Sequence, residues 1–196
     1  MTARRSSLNW FRDYLPEGQL VLDASVLINL LACGATNEVF SALSGPCLVE
    51  EKVFGEISRH PIPGLCHLSA LQSLASSGFI AQALMDDEEY AHFLSLIQAP
   101  LGKRLDAGES ATLAVANSRG LSVVIDENKG RSYVANHFPQ VVVVSSLKLF
   151  ISATVRLGQD VAYLQGRLNA ARDHARMGVP QGERLLLAEV VSAGTT

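Results

Sequence analysis

The chain has 196 residues, 48% of them hydrophobic, with a mean hydropathy of +0.21, which is enough for a packed core and argues against a disordered protein. Its net charge of −3 excludes a protein that binds nucleic acid through overall positive charge alone. This length fits one domain with room for a helical extension.

Neither a membrane span nor a disulfide framework is expected. The chain has no run of about eighteen apolar residues, which is what a transmembrane helix requires. Arg4 and Arg5 are not followed by an apolar segment, so we expect no signal peptide. Cys33, Cys47 and Cys66 form no CxxC pair, which argues against structural disulfides and a zinc site. We therefore expect a cytoplasmic protein.

The chain begins with a polar lead-in, residues 1–18, and then a short buried strand at 20–22 that ends on Asp23. An apolar helix follows directly. In open α/β sheets, ligands bind beyond the carboxyl ends of the strands, so Asp23 is placed to hold a metal ion. An equally simple interpretation is that Asp23 or Ser25 caps the helix.

Further apolar runs continue the alternation of strands and helices. Strands are predicted at 47–49, 79–81, 123–125 and 141–144, with helices between them. This alternation predicts a parallel sheet in an α/β sandwich.

The remaining residues, 151–196, are predicted to be a C-terminal helical extension. One face of its first helix is apolar and consists of Val161, Leu164, Leu168, Ala171 and Ala175. This face could pack on the chain's own sheet, or it could form the surface of a homodimer or of another protein complex.

Several carboxylates lie at the starts or ends of these elements. Glu56 lies on the helix that follows the second strand. Asp106 and Glu109 are three residues apart at a helix start, so their side chains can share one face. Asp126 and Glu127 follow the strand at 123–125. These side chains can converge in one crevice only if their strands are neighbours, which the sequence does not establish.

Converging carboxylates require compensation, because like charges raise one another's pKa. Mg²⁺ or Mn²⁺ suits such an all-oxygen ligand set and would support hydrolysis of a phosphodiester bond.

Each of these residues also has an interpretation without a metal. Asp106 and Glu109 match a capping box. Glu56 alone would be a solvated helix carboxylate, and Asp126 could cap the helix that starts near Asn128. The acidic run at 86–89 is explained by the favourable interaction of acidic side chains with the start of a helix.

Four segments occur in an order that resembles the PIN-domain family, which includes the toxin ribonucleases of bacterial toxin–antitoxin pairs. They are Leu-Val-Leu-Asp23-Ala-Ser25, Val53-Phe-Gly-Glu56, Gly108-Glu109-Ser-Ala-Thr and Val-Val-Ile-Asp126-Glu127. The resemblance covers roughly residues 19–150. It implies a three-layer α/β/α sandwich with a central parallel sheet, and Mg²⁺- or Mn²⁺-dependent cleavage of RNA.

The resemblance also implies roles for individual residues. The catalytic residues would be Asp23, Glu56, Glu109 and Asp126. The metal ligands would be Asp23, Glu109 and, after the later strand, Asp126 or Glu127. Ser25 would orient Asp23 or bind a water on the metal. Relatives often carry two aspartates where this chain has Asp126 and Glu127, so the ligand at that position stays open.

We therefore expect a metal-dependent endoribonuclease, with an antitoxin protein as a candidate partner. Lys129 and Arg131 could contact RNA phosphates, or could belong to a solvated helix start. A first alternative is a PIN-like module that binds RNA or a protein without catalysis, which the Asp126-Glu127 departure would permit. A second is a small-molecule phosphatase or nucleotide-using α/β protein, against which the lack of a glycine-rich phosphate loop counts.

Overall fold

A computed structural model describes residues 9–100 and 104–194 of the chain. Residues 1–8 of the predicted lead-in and 195–196 of the predicted extension lie outside these ranges. The strands are β1 (Leu20–Leu22), β2 (Cys47–Glu50), β3 (Ile80–Ala83), β4 (Ser122–Val124) and β5 (Val143–Val144). The helices are α1 (Ala24–Ala32), α2 (Thr36–Ser41), α3 (Glu51–Glu56), α4 (His67–Ser76), α5 (Asp87–Ile97), α6 (Ala107–Arg119), α7 (Asn128–His137), α8 (Ser146–Arg156), α9 (Val161–Ala175) and α10 (Arg184–Ser192).

The sheet has the strand order β3-β2-β1-β4-β5, and every pair of neighbouring strands is parallel. This confirms the predicted α/β/α fold with a central parallel sheet. Because β1 is central, β2 and β4 end beside it on either side. Leu22 pairs with Val124, and the backbone N–H of Asp23 donates to the Val124 carbonyl at 3.2 Å. The carboxyl ends of β1 and β4 are therefore adjacent.

Both faces of the sheet are covered by helices, which explains why its strands are continuous apolar runs. Leu20 and Leu22 point to one face and belong to a core cluster with side chains from α1, α4, α8 and α9. Val21 points to the opposite face, where α5, α6 and α7 contribute to a second cluster. This alternation follows from the two-residue period of a strand.

The C-terminal helices complete the first of these two clusters. Leu164, Leu168 and Ala171 of α9 are buried within it, and α9 packs against α1 and α8. The apolar face is thus buried within the chain, which is the first of the two alternatives. The predicted boundary after residue 150 falls inside α8. In the described ranges, no helix has the length and apolar character needed to cross a membrane.

One strand is shorter than predicted. The run at 141–144 was expected to be extended throughout, but β5 covers only Val143–Val144. The N–H of Val141 donates to the Phe138 carbonyl at 2.9 Å, and this turn after α7 takes up the first residues of the run. High β-propensity did not outweigh the local turn, since propensity depends on the neighbouring strand that is available.

We expect Leu164→Ala to lower the free energy of unfolding by about 2–5 kcal/mol, because Leu164 is fully buried and its truncation leaves a cavity. Leu185→Ala is a matched control, since Leu185 is 82% exposed and should cost less than about 0.5 kcal/mol. Urea unfolding monitored by circular dichroism measures both. Equal, small effects of the two substitutions would contradict the packing of α9 in the core.

Candidate functional site

Carboxylates from separate elements meet where β1 and β4 end. We call the acidic cluster the five side chains that are linked through electrostatic repulsion: Asp23, Glu56, Asp106, Glu109 and Glu127. Asp23 follows β1 and Glu56 is the last residue of α3. Asp106 and Glu109 lie at the start of α6, and Glu127 precedes α7. The convergence that the sequence left open is therefore present for these five side chains, whereas Asp126, which follows β4, interacts with Ser146, Arg131 and Glu183 instead.

Asp23 is buried and also caps α1. Its Oδ2 accepts hydrogen bonds from the Ser25 backbone N–H at 3.2 Å and from Ser25 Oγ at 2.6 Å. Burial raises the pKa of Asp23, the hydrogen bonds from Ser25 oppose this increase, and repulsion from Asp106 adds to it. Asp23 thus caps α1 and belongs to the acidic cluster at the same time, so the cap does not exclude Asp23 as a metal ligand.

Glu109 combines a helix cap with a strongly perturbed pKa. It forms the predicted capping box with Asp106: its N–H donates to Asp106 Oδ1 at 2.8 Å, and the Asp106 N–H donates to Glu109 Oε2 at 3.3 Å. Oε1 of Glu109 is buried and has no hydrogen-bond partner within the described residues. Burial raises the pKa of Glu109 to about 7, and repulsion from Asp106, Glu127 and Asp23 contributes.

A second capping box in the same protein shows how the negative charge of such a glutamate can be neutralised by a cationic side chain. Glu89 forms the same reciprocal bonds with Asp86 at the start of α5. Arg119 donates Nε to Glu89 Oε1 at 2.6 Å and Nη2 to Oε2 at 2.9 Å, and these bonds lower the pKa of Glu89. Glu109 has the same cap without an arginine. Capping therefore does not account for its unbonded, buried oxygen.

Asp126 is half-buried, and both of its carboxylate oxygens accept hydrogen bonds. Oδ1 accepts from the Ser146 N–H at 2.8 Å and Oδ2 from Asn29 Nδ2 at 3.1 Å. Burial raises the pKa of Asp126, and the bonds from Ser146 oppose the increase. The capping interpretation was wrong, since Asp126 binds the start of α8, while Glu127 occupies the position before α7 and makes no capping bond.

Asn29 and Ser146 hold Asp126 in place, and the sequence analysis assigned a role to neither. Asn29 is 4% exposed, and its Nδ2 also donates to Ser146 Oγ at 3.2 Å. A buried amide requires partners, so an asparagine within the otherwise apolar α1 was a usable signal. Ser146 is an ordinary helix-start serine, and no feature of its local sequence distinguishes it.

Two glycines make room for the acidic side chains. A Cβ on Gly108 would lie 2.5 Å from Glu56 Oε1, and a Cβ on Gly130 would lie 2.9 Å from Glu109 Oε1. Glu56 is exposed, yet its carboxylate lies against α6 at Gly108. Its pKa is raised by burial and by repulsion from Asp106 and Asp23, which places it beside the other carboxylates.

The predicted substrate-binding residues differ in their surroundings. Ser25 lies within the site through its bonds to Asp23. Lys129 Nζ donates to a backbone carbonyl. Arg131 donates Nη1 to the Ile125 carbonyl at 3.1 Å and Nη2 to Glu183 Oε1 at 3.0 Å. The guanidinium of Arg131 thus joins the end of β4 to the C-terminal extension.

The donor set of the cluster suits a divalent cation. As they are arranged, no three His, Cys, Asp or Glu side chains in the described part of the chain form a group that could hold a metal ion. The side chains of the cluster nevertheless suit Mg²⁺ or Mn²⁺, because they offer only carboxylate oxygens, which these ions prefer as ligands. Glu109 Oε1 is a buried acceptor without a donor, and a cation would satisfy it and relieve the repulsion.

Comparison with known proteins places this geometry in context. The model of one protein family, described as a PIN domain, matches residues 19–153 of the chain. This segment contains the sheet, the acidic cluster and Asp126. No significant match to the chain is found among curated proteins or among solved structures.

We expect Glu109→Gln to stabilise the metal-free protein at high pH. The pKa of Glu109 in the folded state is about 7, above its ordinary value of 4.5, so the folded state binds more protons than the unfolded state between these values. The stability that Glu109 contributes is complete below its unfolded pKa and is lost as pH rises through about 7. In EDTA at pH 8 the glutamine variant should therefore exceed wild type by about 1–3 kcal/mol, and at pH 4 it should not.

Glu89→Gln is the matched control for this measurement. The pKa of Glu89 is lowered, so its contribution to stability is present above the unfolded pKa and disappears as pH falls. This variant should be less stable than wild type at pH 8, with a difference that shrinks on acidification. Thermal unfolding in EDTA from pH 4 to pH 8 measures both variants. If Glu109→Gln is destabilising in the manner of Glu89→Gln, then Glu109 is compensated after all.

Proposed function

Because this chain belongs to the PIN-domain family, we propose that it is a metal-dependent endoribonuclease that hydrolyses RNA phosphodiester bonds at the acidic cluster. The observation that carries the proposal is Glu109 Oε1, a buried carboxylate oxygen that lies close to other carboxylates and has no hydrogen-bond donor in the described part of the chain. Where the chain uses a capping-box glutamate only for structure, it pairs it with Arg119. At Glu109 the negative charge is left for a cation from outside the chain.

Asp23 and Glu109 would hold Mg²⁺ or Mn²⁺ together with Asp126 or Glu127, and Glu56 would complete the cluster. When bound, such a cation supplies the positive charge that offsets these carboxylates and polarises a phosphoryl oxygen of the substrate. The resemblance of the four sequence segments to toxin ribonucleases supports RNA as the substrate.

The contribution of the chain is to hold its carboxylates in fixed positions without neutralising them. Ser25 orients Asp23 through two hydrogen bonds, and Asn29 and the Ser146 N–H orient Asp126. All of these donors are uncharged, so they restrict rotation while leaving the negative charge available. Such positioning lowers the entropy that is lost when the cation and the RNA phosphate assemble.

The biological setting stays a prediction from the sequence. An antitoxin partner is a prediction from the resemblance to the PIN-domain family, and a cytoplasmic location is a prediction from the sequence. The homodimer was one alternative for the apolar face of α9, which the chain itself buries.

Asp23→Asn should reduce metal-dependent RNA cleavage by about 100-fold or more, since even residues that only orient metal ligands are worth about 10–100-fold. Asparagine keeps an acceptor oxygen for Ser25 but carries no charge, so the cap and the fold should persist. Cleavage of a labelled, mixed RNA pool is followed on gels with Mg²⁺, Mn²⁺ or EDTA, and circular dichroism monitors folding. Unchanged cleavage by the variant would exclude this mechanism.

Gly108→Ala tests whether Glu56 belongs to the site. The new Cβ would overlap the Glu56 carboxylate, which is the free end of a side chain and can move away. We expect RNA cleavage to fall by about tenfold while the melting temperature is kept or raised, since alanine favours helix more than glycine does. Gly55→Ala, whose Cβ would meet no atom within 4 Å, is the control and should cleave as wild type does. Full activity of Gly108→Ala would remove Glu56 from the site.

A second candidate function is a PIN-like module that binds RNA or a protein without catalysis. Among the described residues, no three side chains are already arranged to hold a metal ion, which favours this alternative. Both carboxylate oxygens of Asp126 also accept hydrogen bonds within the protein, from Asn29 and from the Ser146 N–H. Titration calorimetry with Mn²⁺ separates the two functions. A nuclease should bind the ion with an affinity that Asp23→Asn weakens, whereas a folded wild type that binds no Mn²⁺ would support the module.

A further inference from the structure

Two open grooves meet beside the acidic cluster, and the C-terminal extension forms one of their walls. The first groove, of about 580 Å³, lies between the loop after α3 and the end of α9, and it reaches Glu56. The second, of about 500 Å³, reaches Asp126. Ile28, Ala175 and Arg176 line both grooves, so Arg176 lies at their junction.

An arginine stands on each side of the first groove, which is also lined by the acidic Glu56. Arg59 comes from the loop after α3, and Arg176 comes from the end of α9 beside His174 and the acidic Asp173. Arg59 and Arg176 are exposed, and within the described residues neither side chain makes a hydrogen bond or an ion pair. Arg119, by contrast, is bonded to the carboxylate of Glu89. The two groove arginines are therefore available to an anionic ligand.

The backbone of Arg176 supplies a second, independent observation. Arg176 has φ 56° and ψ 37°. Among the described residues it is the only one other than glycine that has a positive φ. It ends α9, where its N–H donates to the Arg172 carbonyl at 3.0 Å. Glycine is favoured at such a position because it has no Cβ. The chain therefore keeps an arginine at the junction of the two grooves, at a helix end where glycine would fit with less backbone strain.

We propose that Arg176, with Arg59 across the groove, binds the phosphate backbone of the single-stranded RNA that is cut at the acidic cluster; this inference rests on the proposed nuclease function. A guanidinium can donate two parallel hydrogen bonds to one phosphate. The two grooves, of about 580 and 500 Å³, have the size that takes a small-molecule ligand, which suits a short stretch of a single strand.

The charge of the protein explains why such residues are needed. The net charge is −3 and the cluster itself is acidic, so the substrate phosphates are attracted only where local cations offset this field. Arg176 lies beyond residues 19–153, the segment that the PIN-domain family model matches. The extension therefore adds a substrate contact to the nuclease core.

Arg176→Gly separates this role from a structural one, because glycine relieves the backbone at φ 56° and removes the guanidinium. Anisotropy measures the affinity for a short fluorescent RNA of mixed sequence, in the Asp23→Asn background with Mn²⁺ so that the RNA stays intact. We expect affinity to fall by about tenfold, with an equal or higher melting temperature. The slope of log K against log salt should become shallower by about 0.7, the value for one phosphate contact on a single strand.

Three further variants complete the design. Arg59→Ala should lose affinity as Arg176→Gly does, whereas Arg176→Lys, which keeps the charge, should lose less. Arg172→Gln is the matched control, because Arg172 lines neither groove and its Nη2 donates to Asn169 in its own helix at 3.2 Å. This control should bind RNA as its parent does.

The outcomes distinguish this inference from the nuclease proposal. Unchanged or tighter RNA binding by Arg176→Gly, or an equal loss in Arg172→Gln, would overturn the inference and leave the nuclease proposal in place. RNA that is bound through Arg176 but never cut by the wild-type chain would support the groove and overturn the nuclease. If the folded Asp23→Asn parent binds no RNA in the presence of Mn²⁺, the inference is overturned directly.

Discussion

The buried carboxylate of Glu109 lies beside Asp106, Asp23 and Glu127, and no cation from the described residues bonds to it. Its raised pKa of about 7 reflects the energetic cost of burying this charge. A folded protein has only about 5–15 kcal/mol of net stability, so one such buried carboxylate lowers that stability by a substantial fraction. The two core clusters that cover both faces of the sheet supply the stability from which this cost is met. Arg119 relieves the same cost at Glu89, so the chain can compensate a capping-box glutamate and does not do so at Glu109.

In contrast to Glu109, the buried carboxylate of Glu183 is paired with cationic side chains. Glu183 of the extension is 6% exposed and forms ion pairs with Arg131 at 3.0 Å and Lys148 at 3.3 Å, while Ser145 Oγ also donates to it. This buried network lies next to Asp126 at the starts of α7 and α8. Buried ion pairs contribute little net stability but restrict which arrangement is allowed. Here the network fixes the extension against the edge of the sheet where the carboxylates meet.

The extension therefore has two structural consequences that follow from one packing arrangement. Because Leu164 and Leu168 bury α9 against α1, the end of α9 is brought over the edge where β1 ends. The same helix that completes the core thus forms a wall of both grooves through Ala175 and Arg176. The PIN-domain family model ends at residue 153, so the wall is a feature of this chain beyond the matched segment.

The sequence by itself determined the features that depend on near neighbours. Buried strands, the helix starts at Asp86 and Asp106, and the parallel sheet were predictable because burial periods and capping bonds involve residues a few positions apart. Only the tertiary structure decided which groups meet across the chain. Two capping boxes with the same Asp-x-x-Glu spacing differ because Arg119 bonds to one glutamate, whereas no cation of the described residues bonds to the other. Strand order placed β1 beside β4, and hence Asp23 near the end of β4, since strand pairing is a long-range choice that local patterns do not encode.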